Sequence, residues 1–263
     1  MGKVGSSTVH QTIKANNVSK LVYHVHFLTR ENIARTSARY KNAGVPAPRM
    51  TLGQLLRGNV DHLTASNALS GLSHARKWYI VSLVRDPVAT FLSHVFQNPK
   101  VVRPHLLGDE GILSKALVLE YITKHYLDFD PDNDFISNWF DSEFCRFTGI
   151  DVFQHEFNAP EGWSVISERA FAVAIISLEK IDKALSPALS ALLGKEFFLD
   201  LINANVRQDS KDGELYRDVK AEVAIPKNLL SNVYATKYAR HFYGEDDISR
   251  MIQKWSEPRR SDG

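Results

Sequence analysis

Two short segments of this chain carry residue types suited to holding phosphate-like anions, and a third carries paired imidazoles. The first is Gly2-Lys3-Val4-Gly5-Ser6-Ser7-Thr8. A glycine and hydroxyl loop with one lysine, running into a helix, can turn backbone N–H groups, hydroxyls and an ammonium onto one anion. The second is Arg85-Asp86-Pro87 with Ser93 farther along. An arginine at the end of an apolar strand presents a rigid fork of donors to a terminal phosphate, and Ser93, two helical turns on, can add a second donor. The third is the pair His24 and His26. A neutral imidazole near its ordinary pKa accepts a proton at neutral pH, so either can act as a general base. Two separated anion sites point to a ligand with phosphates at both ends.

Each segment also has a plainer reading. Lys3 can be a solvated terminal charge, Arg85 and Asp86 a surface cap on the helix that Pro87 opens, and either histidine a core residue bonded to a carbonyl. His62, His74 and Glu31 are rival bases. A metal held by His24 and His26 lacks a clear third ligand, with Asp61, His62 and His74 only loose candidates, so no metal is expected. Cys145 sits in an aromatic pattern with Trp139, Phe140, Phe144 and Phe147. It reads as a core thiol rather than a nucleophile, which needs an exposed setting that lowers its pKa. Arg207 and Lys211, near Asn205 and Ser210, are possible late-loop contacts or simply a solvated loop.

The elements that must position these residues follow from the apolar patterning. Val9 to Asn17 continues a helix from the glycine loop, with Ser7 or Thr8 able to satisfy early N–H groups. Leu21–Leu28 is β-branched and aromatic and reads as a strand with His24 and His26 on one face. A helix runs from Thr29 towards Gly44, and Thr51 to Arg57 is a short helix. Trp78–Val84 is a buried strand of parallel type, and Pro87 fits the first turn of the next helix. Gly111 to Phe147 is helical in pieces, broken at Asp130-Pro131-Asp132. Phe171–Leu178 is a second core strand, Glu179–Leu193 a helix closed by Gly194, and Leu229–Phe242 is helical again. Strands alternating with helices, with ligands at strand ends, predict an open α/β sheet.

Composition narrows the classes. At 263 residues with 44% apolar and 24% charged side chains, the chain can bury a core, and no repeat or linker divides it. A formal net charge of +2, from 32 basic against 30 acidic residues, gives no footing for general nucleic-acid binding. One cysteine excludes an intrachain disulfide and fits a reducing compartment. No apolar run approaches the ~20 residues of a membrane helix, and no signal peptide is evident. The expectation is a single domain over residues 1–263 in a soluble, cytoplasmic protein.

Lys3-Val4-Gly5-Ser6-Ser7-Thr8 resembles the 5′-phosphosulfate loop of the sulfotransferases that use 3′-phosphoadenosine 5′-phosphosulfate. Val84-Arg85-Asp86-Pro87-Val88-Ala89-Thr90-Phe91-Leu92-Ser93 resembles their 3′-phosphate segment, with Arg85 and Ser93 matching its two ligands. Lys77-Trp78-Tyr79, Tyr23-His24-Val25-His26-Phe27 and Asp151-Val152-Phe153-Gln154-His155 bring the resemblance closest to a bacterial group of capsular polysaccharide synthesis proteins. It extends from Gly2 to about Asp247; the two anion motifs are its specific part. It implies a P-loop-like open parallel sheet flanked by helices, whose first strand is here absent or truncated because Met1 stands where that strand should end. It implies 3′-phosphoadenosine 5′-phosphosulfate as donor substrate, held by Lys3, Gly5, Ser6, Ser7, Thr8, Arg85 and Ser93. A saccharide hydroxyl would be the acceptor, with Lys3 and His26, or His24, catalytic. The alternatives are a P-loop nucleotide kinase or ATPase, for which the lysine stands on the wrong side of the glycine, and a non-catalytic polysaccharide-assembly protein of the same fold.

Overall fold

A computed structural model describes residues 4–19, 22–44, 77–96, 99–108, 111–125, 136–202 and 211–257. In chain order its principal elements are α1 (Ser6–Ala15), α2 (Arg30–Asn42), β1 (Trp78–Val84), α3 (Pro87–Val95), α4 (Lys115–His125), a π-helical turn (Phe140–Cys145), β2 (Trp163–Glu168), β3 (Phe171–Ser177), α5 (Ile181–Leu193), α6 (Lys211–Glu222), α7 (Lys227–Tyr234), α8 (Lys237–Phe242) and α9 (Glu245–Ser256). The chain divides into two compact units, Met1–Arg85 with Trp139–Ala204, and Asp86–Asn138 with Asn205–Gly263.

The first unit is mixed α/β. Its sheet runs β1-β3-β2, and β3 is buried at every position. Burying side chains such as Val173, Ile175 and Ile176 is worth roughly 1.5–3 kcal/mol each, which makes β3 the keel of the unit. β1 pairs with β3 in parallel, from Trp78 opposite Phe171 to Val84 opposite Ser177. β2 pairs antiparallel, from Trp163 opposite Ile176 to Glu168 opposite Phe171. The expected all-parallel sheet is therefore corrected to a mixed one. Only Arg169 and Ala170 separate β2 from β3, and a connection that short can join only antiparallel neighbours. Arg169 takes the left-handed conformation the turn requires, with φ 55°.

A second correction concerns the expected strand at Leu21–Leu28: its described residues, 22–28, form no strand. Two of their main-chain groups, and that of Thr29 beyond them, are bonded by side chains instead of a ladder. Trp139 Nε1 donates to the His26 carbonyl at 3.0 Å, and the Leu28 and Thr29 amides donate to Glu143.

α5 lays Ile181, Ala184, Leu185, Ala188, Leu189 and Leu192 on the sheet, one stripe at helical spacing. It stops at Gly194, whose φ of 65° suits the left-handed cap. The chain then returns along the helix. Phe197 and Leu199 amides donate to Ser190 and Ser186 hydroxyls at 2.9 and 3.1 Å, and the Ile202 amide reaches Thr12 Oγ1 of α1 at 3.0 Å.

The second unit is helical among its described residues and is organised on a buried carboxylate. Asp86, 1% exposed, caps α3 by accepting from the Val88 amide at 3.0 Å, with Pro87 at the first helical position. Its oxygens also accept from Tyr234 Oη of α7 at 2.8 Å and Trp255 Nε1 of α9 at 2.7 Å. Lys254 Nζ lies 3.8 Å away. The surface-cap reading of Asp86 is overturned: it is a cap, but an interior one, shared by three helices.

The readings at residues 51–57 and 130–132 lie outside the described residues. Among the described residues no helix is long and apolar enough to cross a membrane.

Candidate functional site

Gly5 begins α1 in the left-handed conformation, φ 84° and ψ 12°. A Cβ there would stand 2.4 Å from Leu178 Cδ1 and displace that side chain, and the positive φ asks for glycine. Leu178 directly follows β3, which places the loop at the carboxyl end of that strand. No side chain caps α1. The Thr8 amide bonds the Gly5 carbonyl at 3.0 Å, while the Ser6 and Ser7 amides, at the first two helical positions, have no acceptor among the described residues. Ser7 is exposed and Thr8 is buried. Lys3 lies outside the described residues.

Ser6 and His10 are four residues apart and so share one face of α1. Both meet His24. Its Nε2 is 2.8 Å from Ser6 Oγ, and its ring stacks on that of His10 with centroids 5.2 Å apart and planes 23° apart. His26 closes the group edge-on, 4.9 Å from the His24 ring. His24 and His10 are half-buried and His26 is 8% exposed. Burial pushes the His10 imidazole below its usual value, the Lys14 ammonium adds to that, and a hydrogen bond with the Val22 main chain opposes it. His10 is therefore biased towards the neutral form.

The imidazole segment is held in place by the π-helical turn. Glu143, fully buried, accepts from the Leu28 amide, from the Thr29 amide at 2.9 Å, from Thr29 Oγ1 at 2.6 Å and from Asn32 Nδ2. Thr29 is the N-cap of α2 but makes no side-chain cap bond of its own, because its hydroxyl serves Glu143. The carboxylate thus stands at the positive end of α2, where the helix dipole offsets its burial. Trp139, immediately before that turn, holds the His26 carbonyl. The turn is anchored by Phe140, whose ring meets Trp139, Phe144 and Phe153 at 5.2, 5.8 and 6.0 Å. His10, Trp139 and Glu143 are the residues the sequence reading missed. Only His10 had a signal, its helical spacing from Ser6.

Arg85 is half-buried and follows β1 directly. Val84 lies opposite Ser177, so Arg85 and Leu178 leave neighbouring strands at the same end of the sheet. The Gly5 loop and Arg85 accordingly share the carboxyl edge of two adjacent parallel strands, which run about 4.8 Å apart. That edge is where open α/β sheets collect ligands. Ser93 stands half-buried on α3, in the second unit.

The rival residues separate in the same way. Glu31 is exposed and lies 3.4 Å from Arg146 Nη2. Cys145 is half-buried in the π-helical turn. Asp151 caps its own turn through the Phe153 amide at 3.0 Å, and His155 pairs with Glu168 at 3.4 Å. Lys211 is the first residue of α6. Asp61, His62, His74, Asn205, Arg207 and Ser210 lie outside the described residues. Among the described residues no group of three His, Cys, Asp or Glu side chains is arranged to hold a metal ion.

Comparison with known proteins gives a family match. Residues 124–244, just under half of the chain, match the model of a family described as "Putative capsular polysaccharide synthesis protein". The matched stretch contains Trp139, Glu143 and the Asp151–His155 segment, and it does not reach the Gly5 loop, His24, His26, Arg85 or Ser93. No curated protein and no solved structure matches the chain.

Proposed function

We propose that this protein transfers a sulfuryl group from 3′-phosphoadenosine 5′-phosphosulfate to a hydroxyl of a saccharide. The observation that carries the reading is the shared edge: a glycine loop opening α1 and an arginine ending β1 lie at the carboxyl ends of neighbouring parallel strands. The residues present suit such a donor. Two amides and two or three hydroxyls at the start of α1 can surround one anionic group, and Arg85 can fork onto a second. The family description supports a saccharide as acceptor.

In this reading Lys3 neutralises charge growing on the leaving phosphate, and the Ser6 and Ser7 amides with the Ser6, Ser7 and Thr8 hydroxyls orient the 5′ group. Preorganised donors of this kind act where charge develops. Arg85 holds the 3′ phosphate. His24 is the better-placed base, because its Nε2 already touches the loop at Ser6. It would take the acceptor's hydroxyl proton as that oxygen bonds to sulfur and the bridging sulfur–oxygen bond breaks towards the phosphate. His26, deeper and tied through its carbonyl to Trp139, backs the His24 ring, and remains the alternative base.

Calorimetry tests this directly. The protein should bind 3′-phosphoadenosine 5′-phosphate and prefer it to ATP with Mg²⁺. Charge-assisted hydrogen bonds contribute about 1.5–3 kcal/mol each, so Arg85→Ala should weaken the 3′-phosphorylated nucleotide roughly tenfold or more and adenosine 5′-phosphate far less. Equal losses for both would remove Arg85 from the site. Preference for ATP would favour the kinase reading, and nucleotide binding without turnover on any acceptor the non-catalytic one.

A further inference from the structure

Three charged acid or base side chains are buried among the described residues apart from His26: Asp86, Arg103 and Glu143. Two are fully served. Asp86 accepts three hydrogen bonds and has Lys254 beside it, and Glu143 accepts four. Arg103 differs. It is 4% exposed, at the start of the short turn Pro104–Leu106 in the second unit. Its Nε donates to Tyr121 Oη at 3.3 Å and its Nη1 to the His94 carbonyl at 3.1 Å. The guanidinium carbon lies 5.5 Å from the Tyr121 ring centroid.

Both hydrogen-bond acceptors are neutral. A guanidinium carries five N–H donors, and two of Arg103's are engaged. Nη2 has no acceptor among the described residues, and no carboxylate there pairs with the charge. Arginine cannot escape burial by giving up its proton, as a lysine can. The carbonyl at the end of α3 contributes about half a negative charge at most, so capping that helix accounts for one donor and leaves the charge unbalanced. The Tyr121 ring, itself packed on Phe91 at 6.2 Å, fixes the guanidinium plane. This arrangement presents a fixed, forked set of donors suited to an oxyanion.

We propose that Arg103, seated on Tyr121, anchors an oxyanion subsite in the second unit, taking a carboxylate, sulfate or phosphate group through its remaining donors. The proposal does not depend on the sulfuryl-transfer reading.

The test uses the full chain labelled with ¹⁵N-arginine. The Arg103 Nε–H resonance is assigned by its loss in Arg103→Lys, or, should that variant not fold, by its displacement in Tyr121→Phe, which removes only the acceptor of Nε. Sodium sulfate, phosphate and glucuronate are titrated separately against chloride at constant ionic strength. A saturable shift of the Arg103 resonance with at least one of them is expected, and the tightest of the three identifies the oxyanion class. The same shift should survive in Arg85→Ala, which separates this subsite from the proposed nucleotide site, and calorimetry with the same anion should find binding to Arg103→Lys about tenfold weaker, because a point charge cannot replace the fork. An Arg103 resonance that follows chloride and the oxyanions alike would overturn the proposal and leave Arg103 as a helix cap. So would a shift that disappears in Arg85→Ala.

Discussion

Glu143 is the buried group whose removal should be felt most directly at the imidazoles. Glu143→Ala deletes one acceptor for the Leu28 and Thr29 amides and another for Thr29 Oγ1 and Asn32 Nδ2. The two side chains can adjust: Asn32 is half-buried, and the Thr29 hydroxyl is free to turn and cap α2 in the ordinary way. The amides cannot. Leu28 and Thr29 are 8% and 7% exposed, and a buried donor left without an acceptor costs about 1–3 kcal/mol. Two of them give roughly 2–6 kcal/mol, with about 3 as a working figure. Glu143→Gln keeps an oxygen for the amides, and its NH₂ can donate to Thr29 Oγ1 and to a flipped Asn32. It loses only the charge assistance of these bonds, about 1–2 kcal/mol in all. Amide hydrogen exchange at Leu28 and Thr29 reads both variants locally, without requiring the two units to unfold together. At about 1.4 kcal/mol per decade, exchange should accelerate about a hundredfold or more in the alanine variant and about tenfold in the glutamine one. The Ser6–His24 bond, followed through the imidazole nitrogen resonances, should persist in the second and loosen in the first. An alanine variant within tenfold of the parent, or a glutamine variant as damaged as the alanine, would refute the claim that this carboxylate holds the segment.

Three further outcomes follow from the same geometry. Asp86→Ala should destabilise the second unit by about 3–5 kcal/mol in denaturant unfolding, since Trp255, Tyr234 and the Val88 amide lose a buried charged acceptor together; a loss under about 1 kcal/mol would contradict its role as the organising group. His24→Ala should retain nucleotide binding and lose roughly 10²–10⁴-fold in kcat, with the lower limb of the pH–rate profile gone; the reverse ranking with His26→Ala would move the base to His26. His10 has a folded pKa below its ordinary 6.5, so its contribution to stability is whole above about pH 6.5 and is lost as the pH falls through the folded value. His10→Phe should keep the stack on His24 and flatten that acid-side loss, which thermal unfolding between pH 8 and pH 5 would detect as a smaller fall in Tm than in the parent.

Local patterning alone determined several elements of this protein. Trp78–Val84 and Phe171–Ser177 are strands because their runs are apolar enough to be buried, Pro87 opens a helix because its ring suits the first turn, and Gly194 closes one because it tolerates a positive φ. Gly5 likewise declares itself, as a glycine before a hydroxyl-rich helix start. Tertiary structure decided the rest. Leu21–Leu28 has the composition of a strand, yet residues 22–28 form none, and Trp139 and Glu143, more than a hundred positions away in sequence, hold the His26 carbonyl and the Leu28 and Thr29 amides instead. β2 was hidden behind an Arg169-Ala170 turn that carries none of the usual turn residues and bends through a strained arginine. Asp86 looks like a surface cap until Tyr234 and Trp255 arrive to bury it. The division into two units is not legible along the chain, because each unit is assembled from two separate stretches of sequence. Periodicity reports which residues must leave water. It does not report which distant partner will satisfy a carbonyl, an amide or a buried charge, and in this protein those partners hold the imidazoles in place.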